Sequence, residues 1–472
     1  MNTDRVIALD AVPRSIPDRF YEWINRIAGS SLAHRLAKGA FWSFAGSVVA
    51  RGLSFVASVY IARIIGKNSF GELGIVQNTL GMFGVLAGFG LGLTSSKHVA
   101  ELRGSDPARA GGVMALSHVA ALASASVISV VLYLLSPLLA GRSLAAPQLA
   151  TPLRLGIILL FFGAINGAEV GALSGFEAFA TIARTSLWSG LAAFPLAVAG
   201  AIYWGVSGAV GGLAASMGLN WLLNHWALRR EAARNSVPTT FRGCWKERRV
   251  LWQFSLPALL AGVMVSPATW VCSAMLVNRP NGYAEMGFLS AAAQCRNILT
   301  YFVAVMTPAL LPILASQARE KKEEFQLVLN AAHHLTFLVI LPLTIIMMVS
   351  SSLLMGFYGH AFVGGRNVLI YTLAATAISC IGYPAGTALE ASGRMWICFV
   401  MNASWGGVFI ATTFFLVNYG AKGVALAMLV SYIFLTAWTY IYQRADLPKG
   451  MLARTFAGIG LVCVLACALA FR

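Results

Sequence analysis

The chain has 472 residues, of which 58% are hydrophobic and 11% are charged, and its mean hydropathy is +0.74. A chain this apolar cannot form two or three soluble domains, so the composition predicts an integral membrane protein. The net charge of +17 suits a membrane face that meets anionic lipid, and it requires no nucleic acid partner.

Apolar stretches of about 20 residues recur along almost the whole chain, and each is long enough to cross the hydrocarbon of a bilayer as a helix. They predict an all-α polytopic membrane protein with 12 or 13 transmembrane helices, of which the last is the one best suited to lie at the periphery. The predicted spans are 40–65, 70–94, 113–140, 150–172, 179–204, 207–228, 254–277, 285–314, 330–356, 368–390, 396–417, 421–443 and 453–471.

Basic residues are distributed unevenly between the loops. Residues 1–37 show no cleavable signal peptide. Most Lys and Arg residues lie in this segment and in every second loop, which by the positive-inside rule predicts a cytoplasmic N-terminus. The opposite loops hold only a few basic residues, namely Lys67, Arg142, Arg279, Arg366 and Lys422. Two amphipathic stretches on the basic side, 17–28 and 239–252, are predicted to lie along the cytoplasmic leaflet.

The chain contains an internal repeat. Residues 68–74 read NSFGELG and residues 281–287 read NGYAEMG, and farther along Trp204-Gly205 has a counterpart in Tyr419-Gly420. Six predicted spans separate the members of each pair, an even number, so the two halves share one orientation and form a parallel repeat. The predicted organisation is a cytoplasmic segment 1–37, an N-lobe 38–228, a basic cytoplasmic linker 229–250, a C-lobe 251–443 and a C-terminal segment 444–472.

The repeated seven-residue phrase occupies the turn between the first and second spans of each lobe. Glu72 and Glu285 stand near the start of the following helix, where a carboxylate can complete a capping box. Gly74 and Gly287 permit close approach of a neighbouring helix. We interpret these four residues as markers of the fold, and contact with a substrate is the alternative interpretation.

Several short motifs resemble those of the polysaccharide transporter family, the O-antigen and exopolysaccharide flippases of the multidrug/oligosaccharidyl-lipid/polysaccharide (MOP) superfamily. The resemblance covers most of residues 38–443, is strongest in the first two spans, and departs from the family where Lys67 replaces a common proline. The motifs are Ala62-Arg63, Phe70-Gly71, Phe89-Gly90-Leu91, Ala100-Glu101 and Leu389-Glu390-Ala391-Ser392-Gly393-Arg394.

This resemblance implies a function and a location. Members of the family carry a polyprenyl-pyrophosphate-linked oligosaccharide from the cytoplasmic to the periplasmic leaflet of the bacterial inner membrane. They do so by alternating access, in which two lobes rock around a central cavity. The implied partners are this lipid-linked oligosaccharide, membrane lipids, and a polysaccharide polymerase with its export machinery. The resemblance implies a transporter, not an enzyme.

A pyrophosphate substrate requires cations at membrane depth, where an arginine costs about 2.5–3.5 kcal/mol. Arg51 lies well inside the first span, and Arg296 lies in the eighth beside Gln294 and Asn297. These four residues are the predicted substrate-binding residues, with structural pairing as the alternative for each arginine. The segment Arg51-Gly52-Leu53-Ser54-Phe55 resembles the Arg-x-Leu-x-Phe of lipid II flippases, although Ala57 stands where a second arginine often follows.

Ion coupling has one candidate residue. Glu169 is the only acid well inside a predicted span, where it could carry a proton or hold sodium. Pairing with Arg184 or helix capping are the alternative roles. The sequence otherwise predicts no cofactor and no metal site, because the seven cysteines form no C-x-x-C pair and His333-His334 lacks a third ligand.

Other functions compete with the flippase interpretation. A cation-coupled drug exporter would need acids in its cavity for cationic drugs, whereas this chain supplies mainly arginines. Export of another amphipathic lipid-linked substrate is the alternative closest to the flippase interpretation. A membrane polysaccharide polymerase or ligase would carry a large outer loop, whereas every predicted outer loop here is short.

Overall fold

The computed structural model describes residues 31–239, 243–317, 322–448 and 450–470. These residues are almost entirely helical. The predicted amphipathic stretch 17–28 and part of the stretch 239–252 lie outside the described residues.

Fourteen α-helices account for most of the described chain. In chain order they are α1 (Ser31–Gly88), α2 (Leu91–Leu102), α3 (Pro107–Leu138), α4 (Ala150–Gly175), α5 (Phe179–Arg234), α6 (Leu256–Val263), α7 (Val265–Val277), α8 (Gly282–Gln317), α9 (Lys322–Val349), α10 (Ser351–Phe357), α11 (Arg366–Ala391), α12 (Met395–Leu416), α13 (Gly420–Tyr442) and α14 (Met451–Ala470). Shorter turns join them: π-helical turns at Leu139–Ser143 and Leu251–Ser255, and 3₁₀ turns at Pro147–Leu149, Cys244–Glu247, His360–Gly365 and Val417–Tyr419.

Two of the long helices are broken by a glycine with positive φ, each at a predicted turn between two spans. Helix α1 breaks at Gly66, with φ of 80°, and α5 breaks at Gly205, with φ of 57° and ψ of −135°. Gly420, the counterpart of Gly205 in the repeat, has φ of 65° and ψ of −147°. Side chains with a Cβ rarely adopt such angles, so the same backbone turn recurs where the sequence repeats.

The thirteen predicted spans lie on described helices, apart from residue 471 at the end of the last span, which is outside the described residues. In the part of the chain that the structure describes, eight helical stretches could cross a membrane by length and composition. Three of them, Arg51–Leu102, Phe179–Arg234 and Trp396–Tyr442, each contain two predicted spans joined by a turn. The remaining predicted spans, 254–277 and 285–314, lie on α6, α7 and α8.

The helices pack as two lobes. Helices α1, α3, α4 and α5 form the body of the N-lobe, and α8, α11, α12 and α13 form the body of the C-lobe. The two lobes touch mainly where α1 runs beside α7 and α8. The predicted fold class, an all-α membrane protein with two parallel six-helix lobes around a central cavity, is confirmed.

The two ends of the lobes differ, and we name them by what they carry. The loop end carries residues 68–74 and 281–287, and the linker end carries the connection 229–250 between the lobes. The distribution of basic residues predicts that the linker end faces the cytoplasm.

Helix α14 packs against the C-lobe over its length. Near its start, Arg454 Nη2 donates to Asn330 Oδ1 at 3.0 Å. Near its end, the carbonyl oxygen of Leu469 accepts from Arg366 Nη2 at 2.9 Å. The thirteenth predicted span is therefore attached to α9 and α11, not detached from the bundle.

Candidate functional site: an interlobe cleft and a buried carboxylate

The lobes meet at the loop end, where the two copies of the repeated phrase pack against each other. A Cβ atom on Gly71 would lie 1.9 Å from the carbonyl oxygen of Tyr283, and one on Gly287 would lie 2.4 Å from that of Lys67. Only glycine permits backbones to approach this closely. The two copies of the phrase therefore pack against each other through these glycines.

A cluster of aromatic rings seals the cleft beside this contact. Phe70 of the N-lobe lies among Tyr358, Phe362 and Phe288 of the C-lobe, with ring centroids of Phe70 and Tyr358 5.8 Å apart. The buried hydroxyl of Tyr358 also forms a 3.0 Å hydrogen bond with Ser58 Oγ of the N-lobe. The cleft between the lobes is therefore closed at the loop end.

Below this seal the lobes enclose two adjoining cavities. One, of about 180 Å³, has a polar lining from both lobes that includes Asn78, Gln294 and Arg296. The other, of about 120 Å³, is lined by Ser54, Ser58 and the side of α5. Phe70, Leu73, Gln77 and Gln294 line both cavities, so the two are parts of one interlobe cleft.

Arg296 is poorly satisfied within the larger cavity. Its Nη1 atom donates to Met428 Sδ at 3.4 Å, a weak acceptor, and its Nε atom is buried without a hydrogen-bond partner. A guanidinium can grip a phosphate through two parallel hydrogen bonds. The site therefore offers unused donors to an anionic ligand.

The other predicted binding residues have different positions. Gln294 lines both cavities, whereas Asn297 is exposed and lies outside their lining. Arg51 is exposed and also lies outside the lining, but its guanidinium carbon lies 4.8 Å from the ring centroid of Tyr301 on α8. Arg51 thus faces the C-lobe across the cleft.

The two glutamates of the repeated phrase bond to other elements instead of closing a capping box on their own helices. Glu285 Oε2 accepts from the backbone N–H of Ala421 at 2.8 Å, so it caps the start of α13. Glu72 Oε1 accepts from Gln148 Nε2 at 3.1 Å. The predicted capping role is corrected for Glu285: the carboxylate stabilises a helix end, but that of a distant helix.

Glu169 lies within the N-lobe, apart from the cleft, and only 1% of its side chain is exposed. Its Oε1 atom lies 2.7 Å from His225 Nδ1 on α5 and 3.4 Å from His118 Nδ1 on α3. Its Oε2 atom is buried without a hydrogen-bond partner. The carboxylate therefore pairs with these two imidazoles, whereas Arg184 was the partner expected from the sequence.

The linker between the lobes is fastened to the N-lobe at the start of α3. Arg109, near the start of α3, donates two hydrogen bonds to Glu247 of the linker, at 2.9 and 3.0 Å. Gly111 lies against the linker backbone, because a Cβ there would approach the carbonyl oxygen of Pro238 to 2.2 Å. The start of α3 and the linker therefore form one unit.

These features define a class of protein: a two-lobed polytopic membrane transporter with a cleft between its lobes. The family described as "Polysaccharide biosynthesis protein" matches residues 36–318. This match covers more than half of the chain, and the chain belongs to that family. The resemblance to the polysaccharide transporters of the MOP superfamily is confirmed.

A relative with a named role supports the same assignment. The EPS I polysaccharide export inner membrane protein EpsE of Ralstonia nicotianae (strain ATCC BAA-1114 / GMI1000) is 23% identical over 424 residues. The aligned region covers 87% of this chain and 94% of the relative. The similarity thus extends over nearly the full length of both proteins.

Solved structures show the same fold at low sequence identity. The lipid II flippase MurJ in an inward closed conformation has a TM-score of 0.67 at 12% identity, over 91% of this chain and 97% of that chain. An inward-facing multidrug resistance MATE family transporter of the MOP superfamily has a TM-score of 0.66 at 15% identity, over 83% of this chain and 93% of that chain.

Sequence reasoning missed His118, His225 and Tyr358. The two histidines lie on different helices from Glu169, and no local spacing indicates their contact. The repeat held a signal, because His118 and His333 stand 215 residues apart (333 − 118), the same offset that separates Trp204 from Tyr419 (419 − 204). Tyr358 lies in a turn and joins the cleft only through the packing of the lobes.

Proposed function

We propose that the protein is a flippase that moves a polyprenyl-pyrophosphate-linked oligosaccharide across the bacterial inner membrane. The substrate would enter the cleft from the cytoplasm and leave toward the periplasm, for surface polysaccharide or exopolysaccharide synthesis. A polysaccharide polymerase and export machinery would use the translocated lipid-linked oligosaccharide. The family membership and the export role named for the Ralstonia relative support this proposal.

The observation that carries the proposal is the partly unsatisfied guanidinium of Arg296 inside a polar cleft built by both lobes. A pyrophosphate head group would supply the acceptors that this side chain lacks. Arg51 would provide a second cation on the exposed side of the cleft, and Gln294 would bond to phosphate or sugar oxygens. Asn297 would contact the substrate only in another conformation, because it lies outside the cavity lining here.

Alternating access requires that the cleft open at one end while it closes at the other. The loop end is closed by the packed glycines and the aromatic cluster. Toward the linker end, Arg51 and Thr300 are exposed on facing helices. This geometry suits a state that receives substrate from the linker side.

A drug exporter is the second candidate function, since the fold is shared with multidrug transporters. Its cationic substrates would favour carboxylates, whereas the described lining of the two interlobe cavities contains Arg296 and no acid. The cleft chemistry therefore favours an anionic substrate.

Arginine variants in a host that lacks its own flippase would test the proposal. We expect Arg296→Ala and Arg51→Ala to reach the membrane but to abolish or strongly reduce surface polysaccharide. Arg51→Lys should restore part of it, because lysine keeps the charge but loses the planar fork. Lipid-linked oligosaccharide should accumulate in the inactive strains.

Arg154→Ala is the matched control. Arg154 lies over the ring of Tyr133 at 4.8 Å, the same separation as between Arg51 and Tyr301, but both partners belong to the N-lobe. Its loss should leave export intact. Full export by both Arg296→Ala and Arg51→Ala would contradict the proposed binding role.

A further inference from the structure

The cluster of Glu169, His118 and His225 lies apart from the interlobe cleft, since none of the three lines either interlobe cavity. Each belongs to a different helix, α4, α3 and α5. The cluster therefore joins three helices of the N-lobe through titratable groups that the proposed binding site does not use.

The cluster is incompletely satisfied. Oε1 of Glu169 faces both imidazoles and the carboxylate also interacts with the indole N–H of Trp221, while no hydrogen bond of good geometry reaches Oε2 of Glu169. With both imidazoles neutral, an ionised Glu169 leaves one buried negative charge without a cation. Uptake of one proton by the cluster would make it neutral.

The C-lobe contains the counterpart of this cluster without its carboxylate. His333 of α9 pairs with Tyr440 of α13, with 3.0 Å between Nδ1 and the hydroxyl oxygen. His118 and His225 are the corresponding residues of the N-lobe repeat at an offset of 215 residues (333 − 118, 440 − 225), and the same offset pairs Glu169 with Pro384. At equivalent helix contacts, the C-lobe thus has a neutral hydrogen bond between His333 and Tyr440. The N-lobe has a carboxylate that faces two imidazoles.

Solvent can reach the N-lobe cluster. Glu169, His118 and His225 line a cavity of about 60 Å³, which is large enough for water. Arg229 and Thr239, both exposed, form its rim at the linker end. A proton from that side could therefore reach the imidazoles through water.

The other charged groups that the structure describes at the linker end of the N-lobe are paired with other residues or lie on the surface. On the cavity itself, Arg229 is the one further charged residue in the described lining, and it is exposed. The neighbouring pairs are Lys97 and His98 with Glu101, Arg103 with Glu177, Arg109 with Glu247, and Arg234 with Glu231, while Arg230 lies over the ring of Trp226.

We propose that Glu169, His118 and His225 form a proton-binding site in the N-lobe that couples proton movement to the transport cycle. This inference rests on the proposed transport function. Sodium fits the site less well, because it prefers oxygen ligands and two of the three side chains present imidazole nitrogen. The linker fastened at the mouth of the cavity, through Arg109 and Glu247, gives protonation a mechanical route to the connection between the lobes.

The site can be tested on purified protein without substrate. The ring of Trp221 lies 5.7 Å from that of His225, so a protonated imidazole should quench its fluorescence. The difference between wild type and Trp221→Phe isolates this signal. We expect the Trp221 fluorescence of the wild type to change between about pH 5 and 8. This change should be absent in Glu169→Gln and His225→Gln. It should remain in His333→Gln.

Transport by the same variants provides the second readout. In membrane vesicles, export should depend on pH in wild type and in His333→Gln, and this dependence should flatten in Glu169→Gln. The fluorescence titration needs no substrate, so it still reports on the site if the proposed transport function fails.

Three outcomes would overturn the proposal. The first is a Trp221 signal without a pH transition, or with one that both Glu169→Gln and His225→Gln preserve. The second is a signal that follows sodium concentration in place of pH. The third is loss of folding in both variants while His333→Gln folds, because the cluster would then be structural.

Discussion

Glu285 shows how one residue of a short repeated phrase acquires a role through the fold. Its carboxylate accepts from the backbone N–H of Ala421, a free donor in the first turn of α13. The corresponding Glu72 bonds instead to the side-chain amide of Gln148, which lies on the surface. The two residues therefore occupy equivalent positions in the sequence with unequal structural roles.

Replacing Glu285 by alanine should lower stability more than replacing Glu72. Removal of a helix cap costs about 0.5–2 kcal/mol, whereas loss of the exposed Glu72 contact should cost less. Glu285→Gln should retain most of the stability, because its amide oxygen can still accept. Thermal unfolding of the purified variants in detergent measures the difference, and equal losses for the two alanine variants would contradict the assignment.

At the scale of elements, the crossing of α1 and α8 controls the loop end of the cleft. Gly71 and Gly287 bring the two backbones together, and one turn farther along a Cβ atom on Gly74 would lie 3.0 Å from that of Ser290. In the proposed transport cycle, rocking of the lobes separates this contact before the substrate leaves on that side.

A disulfide across the crossing should hold the loop end closed. The separation at Gly74 and Ser290 is close to the roughly 3.5–4.5 Å between Cβ atoms that a disulfide requires, so a small shift suffices. We expect Gly74→Cys/Ser290→Cys to lose export under oxidation and to regain it under reduction, with Gly74→Cys and Ser290→Cys as single controls. Undiminished export by fully cross-linked protein would show that this crossing does not open.

At the scale of the whole molecule, the two lobes share one orientation and one pattern of turns. The matching backbone angles of Gly205 and Gly420 support the repeat. The positive-inside pattern predicts that the linker end faces the cytoplasm and the loop end faces the periplasm.

Reporter fusions should reveal this orientation. A phosphatase or fluorescent reporter placed within 229–250 should report cytoplasm, and one placed after Asn281 should report periplasm. A fusion after Arg472 should report periplasm if α14 spans the membrane. Opposite signals at the first two positions would reverse the topology.

The fold was more predictable from the sequence than the site. The spans and the repeat could be predicted from hydropathy, and the turns from glycines such as Gly66 and Gly205. Both signals lie within short stretches of the sequence. Contacts such as those between Ser58 and Tyr358, or between His118 and Glu169, join residues far apart in the chain. They depend on how the helices cross, which no local pattern specifies. Arg51 and Arg296 were found because a charge at membrane depth is unusual in itself.

The most direct test of the central claim uses purified protein in vesicles that contain a lipid-linked oligosaccharide. A membrane-impermeant glycosidase would cut only the sugar exposed on the outer leaflet. We expect wild-type vesicles to expose nearly all of the substrate with time, while vesicles with Arg296→Ala or without protein expose only the fraction present outside at the start. An exposed fraction that stays constant with correctly folded wild-type protein would contradict the account.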